Sequence, residues 1–178
     1  VMVDSRTGRQ EEAAQWIKKL LDSAGVPEEK VVYLLQLGQL SEQVGDYHSA
    51  LGYYTLALDL QPKNSALRYL AHNNLGYCLN QFASYDEAES QCRTAIRIDP
   101  GRHNAYKNLG VSLEGQEQYI HTVECYIQAV KRYPYDRRAL DHLEDLLDKH
   151  PEVSREYKDL ESELERCRAA VSAARSKH

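Results

Sequence analysis

Along the chain, apolar residues recur at spacings of three and four, the period of an amphipathic helix. Around Gly38, residues Val31, Leu34, Leu35, Leu37, Leu40 and Val44 fall on one helical face. Gly45-Asp46 then marks a turn. A second helix carries Ala50, Tyr54, Ala57 and Leu58 and stops before Pro62, which cannot continue it. Ala50 and Ala57 lie on one face of the second helix, so the two helices can nest. Gly38, with no side chain, lets a neighbouring helix come close. One helix pair of this kind cannot bury its apolar face alone, so stacked neighbours must cover it, as in a solenoid.

The pattern repeats. Leu37-Gly38 returns as Leu75-Gly76 and Leu109-Gly110, at offsets of 38 and 34 residues. The same two offsets relate Tyr47, Tyr85 and Tyr119; Ala57, Ala95 and Ala129; and Pro62, Pro100 and Pro134. The longer first offset adds four residues within 63–68, close to one helical turn. The second unit's first helix therefore starts a turn early on the same face, capped by Asn64 or Ser65.

These positions resemble the tetratricopeptide repeat (TPR) family, whose unit of about 34 residues reads W-x2-L-G-x2-Y, then A-x3-F, then P. Residues 31–64 carry Leu34, Leu37, Gly38, Ala50, Tyr54, Ala57 and Pro62, with Ser41 in place of the aromatic. Residues 69–102 carry Leu75, Gly76, Ala88, Ala95 and Pro100, with His72 in the Trp slot and Cys92 in the Phe slot. Residues 103–136 carry Tyr106, Leu109, Gly110, Tyr126, Ala129 and Pro134, with Thr122 for the first Ala. A degenerate fourth unit is expected over 137–176, with Leu140, Leu143 and Leu147 in register and Glu144 in the Gly slot. The resemblance implies an all-α, right-handed α-solenoid of helix-turn-helix repeats with N- and C-terminal capping helices.

The ends are read from the apolar pattern. Residues 1–9 are expected to be disordered. Over 10–24, Ala13, Trp16, Ile17, Leu20, Leu21 and Ala24 form one face, giving a capping helix anchored by Trp16. Gly25 stops it, and Pro27 with Glu28 and Glu29 opens the next helix. Residues 152–176 contain neither Gly nor Pro and predict one long helix. Its stripe of Tyr157, Leu160, Leu164, Cys167, Val171 and Ala174 either packs back on the solenoid or forms a coiled-coil seam.

Composition removes function classes. The net charge of −5 argues against a nucleic-acid module, and no apolar run is long enough to insert in a membrane. Cys78, Cys92, Cys125 and Cys167 form no CxxC pair and read as free thiols of a cytoplasmic protein. The seven histidines do not cluster, so no metal or other cofactor is expected. No nucleophile–base motif or phosphate loop appears, so the chain is not expected to be an enzyme.

The resemblance implies a protein-interaction scaffold or adaptor, whose first helices line a concave groove for a peptide or partner protein. The candidate groove residues are Asn73, Asn74, Tyr77, Asn80, Gln81, Asn104, Lys107, Asn108, Val111 and Arg138. Asparagine is a poor interior helix residue, and each amide offers both donor and acceptor. A ladder of amides would hold an extended backbone; the alternative is that these asparagines bond a neighbouring helix. The basic slots of the family's carboxylate clamp hold Leu35, Asn104 and Asn108, or in the next register Asn73, Arg138 and His142, which argues against chaperone-tail binding. Lys131, Arg132, Arg137 and Arg138 cluster where an acidic segment could be steered. The alternative function is self-assembly as a homo-oligomer through the terminal helices.

Overall fold

The structure, a computed structural model, describes residues 5–176. Among these residues it is all-helical: α1 (Ser5–Ser23), α2 (Pro27–Gln43), α3 (Tyr47–Asp59), α4 (Ser65–Gln81), α5 (Tyr85–Ile98), α6 (His103–Gly115), α7 (Tyr119–Arg132), α8 (Arg138–Lys149), α9 (Val153–Glu156) and α10 (Leu160–Arg175). From α1 to α8 each helix packs on its neighbour in sequence, and α2, α4 and α6 also touch in series. The result is an α-solenoid of stacked helical hairpins.

The repeat is a packing device. A Cβ at Gly38 would collide with the ring of Tyr54, which is fully buried across the hairpin. The Tyr54 hydroxyl donates to Glu42, one turn beyond Gly38, at 2.8 Å. The third hairpin repeats the arrangement: Tyr126 covers Gly110 and donates to Glu114 at 2.7 Å. In the second, Cys92 Sγ stands 2.6 Å from where a Gly76 Cβ would lie. With no tyrosine there, Asn80 replaces the glutamate. Each buried ring contributes about 2–3 kcal/mol through its apolar area.

The hairpin turns share one backbone solution. Gly45, Ala83 and Glu117, at equivalent positions, have φ of 78°, 55° and 59°. The next residue's N–H then reaches back to the helix, as Asp46 to Ser41 O (2.9 Å), Ser84 to Leu79 O (3.1 Å) and Gln118 to Leu113 O (2.9 Å). This is the left-handed helix stop usually given to glycine. Asn64 caps α4 by accepting from Ala66 and Leu67 N–H, and α4 starts a turn earlier relative to Gly76 than α6 does relative to Gly110. Glu28 accepts from the N–H groups of Lys63 (2.7 Å) and Asn64 (3.3 Å), tying α2 to the α3–α4 connection.

Both ends differ from the sequence expectation. The disorder expected of residues 1–4 lies outside the described residues. Residues 5–9, expected to be disordered as well, are instead the first turns of α1, which begins at Ser5. Trp16 is not an anchor: it is 60% exposed, with the Lys19 ammonium 4.7 Å from its ring centroid. Leu21 meets the core instead. Among the described residues α1 packs on α2, and Trp16 falls on the face turned away from that contact. At the C-terminus the single helix is broken, because Asp159 takes φ 63° between α9 and α10. The turn folds α10 onto α7, burying Leu160, Cys167, Val171 and Ala174. Glu144, in the glycine slot of α8, accepts from Arg168 of α10 at 2.7 Å. The apolar stripe is therefore consumed within the chain and leaves no coiled-coil seam.

Candidate peptide-binding groove

The ten candidate residues lie on the first helices α4, α6 and α8, in two different chemical states. Asn108 is 4% exposed and donates to Asn73 Oδ1 (3.2 Å) and Asn73 O (3.4 Å). Asn80 donates to Asn108 O (2.9 Å), and Ser112 donates to Asn80 Oδ1 (2.9 Å) and Asn108 O (3.0 Å). Asn73 also donates to Asn74 Oδ1 at 2.9 Å. Of the two readings of the amides, Asn73, Asn80 and Asn108 fit the second: they are buried and bond across α4 and α6. A buried amide without partners is costly, so where two helices meet through Asn the side chains pair with each other. Sequence reasoning missed Ser112, which completes this network.

The remaining positions are open to varying degrees. Asn74 and Asn104 are half-buried and Gln81 is exposed. Tyr77 sits edge-on to Tyr47, ring centroids 6.1 Å apart, and burial pushes its hydroxyl up to about 12. Val111 packs against the C-terminal core. Arg138 grips Asp136 through two bonds of 2.8 and 2.7 Å, and this pairing lowers the Asp136 carboxyl to about 2. Asp136 also meets His103 Nε2 at 3.2 Å, and His103 stacks on Tyr133 with centroids 4.7 Å apart. Burial holds the His103 pKa below its usual value despite that carboxylate.

Lys107 stands apart. It is 8% exposed, and among the described residues its ammonium makes no hydrogen bond or ion pair. Desolvation depresses its pKa, aided by the charge of Arg138, while Asp136 and Glu42 act in the opposite sense from a distance. The basic cluster, by contrast, is already paired. Lys131 reaches Glu163 (2.6 Å), Arg137 bonds Asp141 and Glu144, and Arg132 caps Pro100 O (2.7 Å) with its guanidinium 3.9 Å from the Tyr106 ring centroid.

The second-helix side carries a cleft of about 530 Å³ between α5 and α7, floored by α6 and lined by Ile96, Leu109, Cys125, Arg93 and Arg97 among others. Arg93 is paired with Glu89, and burial pushes the Cys125 thiol up to about 12. The Cys92 thiol is likewise raised to about 12, and burial raises those of Cys78 and Cys167. All four stay protonated near neutral pH and are poor nucleophiles. Among the described residues no His, Cys, Asp and Glu cluster could hold a metal, and no helix is long and apolar enough to cross a membrane.

Comparison with known proteins matches residues 35–103 to the family model described as tetratricopeptide repeat. The chain is 30% identical over 97 residues to small glutamine-rich tetratricopeptide repeat-containing protein 2 of Mycosarcoma maydis, covering 54% of this chain and 26% of that protein. It thus spans about a quarter of that relative's length. MamA 41-end from Desulfovibrio magneticus RS-1 superposes with a TM-score of 0.66 at 26% identity, covering 90% of this chain and 88% of that one. The first TPR of Spaghetti (RPAP3), bound to the HSP90 peptide SRMEEVD, gives 0.61 at 21% identity over 70% of this chain and 98% of that one, a likeness of fold. With the glycine, tyrosine and proline slots in register and the solenoid in place, residues 35–103 match the tetratricopeptide repeat family, and the described chain shares the solenoid fold of its solved members.

Proposed function

We propose that the chain is a non-catalytic interaction module of a reducing, cytoplasm-like compartment. Its first-helix groove takes an extended segment of a partner protein, and Lys107 receives a carboxylate of that segment. The carrying observation is Lys107, a residue 8% exposed whose ammonium is unpaired among the described residues. A buried cation without a counter-charge costs stability, and an arriving carboxylate would offset that cost. Asn74, Asn104, Gln81 and Tyr77, on the same two helices α4 and α6, would supply polar and aromatic contacts for the ligand's backbone and neighbouring side chains. Leu35, Asn104 and Asn108 in the clamp slots leave one cation in place of a clamp, so the reading is of a single acidic anchor and not of a chaperone tail.

The test is selection from a displayed random-peptide library, followed by fluorescence anisotropy on the enriched peptides. Enriched sequences are expected to carry Asp, Glu or a free C-terminus. Lys107→Met should weaken them by about 10- to 100-fold, the equivalent of ~1.5–3 kcal/mol for a charge-assisted bond. Peptides that bind Lys107→Met and wild type equally would overturn the proposal.

A further inference from the structure

The first and last described helices differ in what they leave uncovered. At the C-terminal end, α10 has turned back and buried its apolar stripe. At the N-terminal end, α1 meets α2 with one face only. The other face carries Gly8, Glu12, Gln15, Trp16, Lys19 and Ser23, all exposed, with Leu20 beside them at 46% exposure. Apart from its own stretch of helix, no described heavy atom comes within 4 Å of the place a Gly8 Cβ would occupy. Among the described residues neither Glu12 nor Lys19 has an ion-pair partner. Trp16 is the only tryptophan of the chain, and among the described residues it is the most exposed of the large apolar ones.

The order of these residues is self-complementary when reversed. We propose that α1 pairs antiparallel with α1 of a second copy, about a twofold axis passing between Gln15 and Trp16. In that register Glu12 faces Lys19, Gln15 faces Trp16 and Gly8 faces Ser23, each contact occurring twice, as an isologous interface requires. Charge complementarity selects the occupant: a parallel pairing sets Glu12 against Glu12 and Lys19 against Lys19. Gly8 and Ser23 are small, so the helix ends can close toward the 8–10 Å separation of packed helices while the two indoles fill the centre. A 19-residue helix is about 28 Å long, which places the seam at the small end of specific interfaces and makes the dimer reversible. The candidate groove lies on α2, α4, α6 and α8 and stays open. The dimer therefore presents two grooves, and a partner with two acidic segments would bind with avidity. The proposal stands whether or not Lys107 anchors a ligand.

The single tryptophan reports directly on this. Sedimentation velocity and Trp emission are followed on the full chain from about 1 µM to about 1 mM. Twice the monomer mass is expected at the upper end, with emission moving to the blue in step with it. Trp16→Ala should remove the dimer. Lys19→Glu should weaken it at least tenfold by placing like charges across the seam, and the swap Glu12→Lys with Lys19→Glu should restore it. All these residues are exposed, so the helix content by circular dichroism stays at wild type. A monomer with unchanged emission throughout overturns the proposal, and so does a double swap that fails to rescue Lys19→Glu.

Discussion

Asn108→Ala separates a structural amide from a ligand-binding one. The substitution removes two hydrogen bonds to Asn73, of 3.2 and 3.4 Å, and leaves the Asn73 Oδ1 acceptor without that donor at a site 7% exposed. An acceptor stranded in this way costs ~1–3 kcal/mol. Alanine returns ~0.5–0.7 kcal/mol through helix propensity, so the net loss is ~0.3–2.5 kcal/mol, centred on ~1.4 kcal/mol. For a chain of this size each kcal/mol lowers Tm by ~2–4 °C, giving a central drop of about 3–6 °C. Asn104→Ala and Gln81→Ala, at more open positions, should stay within ~0.5 kcal/mol of wild type. Asn80→Ala combined with Asn108→Ala should deviate from additivity by at least ~0.5 kcal/mol, because Asn80 bonds the Asn108 carbonyl. Thermal and urea denaturation followed by circular dichroism measure all of these. If Asn108→Ala melts within ~1 °C of wild type while Asn104→Ala loses several degrees, the amides do not staple α4 to α6.

Other substitutions probe the rest of the frame. Gly110→Ala would drive a Cβ into the Tyr126 ring and should cost ~1–3 kcal/mol, visible as a lower urea midpoint. Ala83→Gly and Glu117→Gly place glycine where φ is already positive and should each raise the midpoint slightly, by ~0.5–1 kcal/mol, as the relief of a left-handed side chain exceeds the added backbone entropy. Lys107→Met should raise Tm even as it weakens the ligand: a depressed lysine pKa means the charged form destabilises the fold at neutral pH, and that penalty is removed. Asp136 works in the opposite direction. Its pKa is lowered to about 2, so its stabilisation is present above the unfolded value near 4 and fades as the pH falls toward 2. Asp136→Asn should therefore cost ~1–2 kcal/mol at pH 7, after allowance for the exposed Arg138 partner, and progressively less in urea titrations below pH 4.

The repeat was legible because its signals are local or strictly periodic. Apolar spacing, Gly38, Gly76 and Gly110, and the prolines that close each unit can be read without knowing which helices meet. So can the cap at Asn64, which acts on residues just after it in the chain. The turn at Ala83 and Glu117 was less visible, since only Gly45 advertises a left-handed backbone; the other two are recognisable only as its equivalents by offset.

What the sequence by itself determined is the helix-turn-helix unit, its stacking and the side to which the first helices belong. The tertiary structure decided which polar groups on that side remain free. Asn80 meets Asn108 across 28 residues and Asn108 meets Asn73 across 35, distances at which residue type alone does not say whether an amide faces a helix or solvent. The same holds for Trp16, whose exposure depends on α1 having one neighbour, and for Asp159, whose unusual backbone is held by the burial of Leu160, Cys167 and Val171 on the core that includes α7. Propensity acts within a few residues, whereas pairing and burial are settled only when segments far apart in sequence come together.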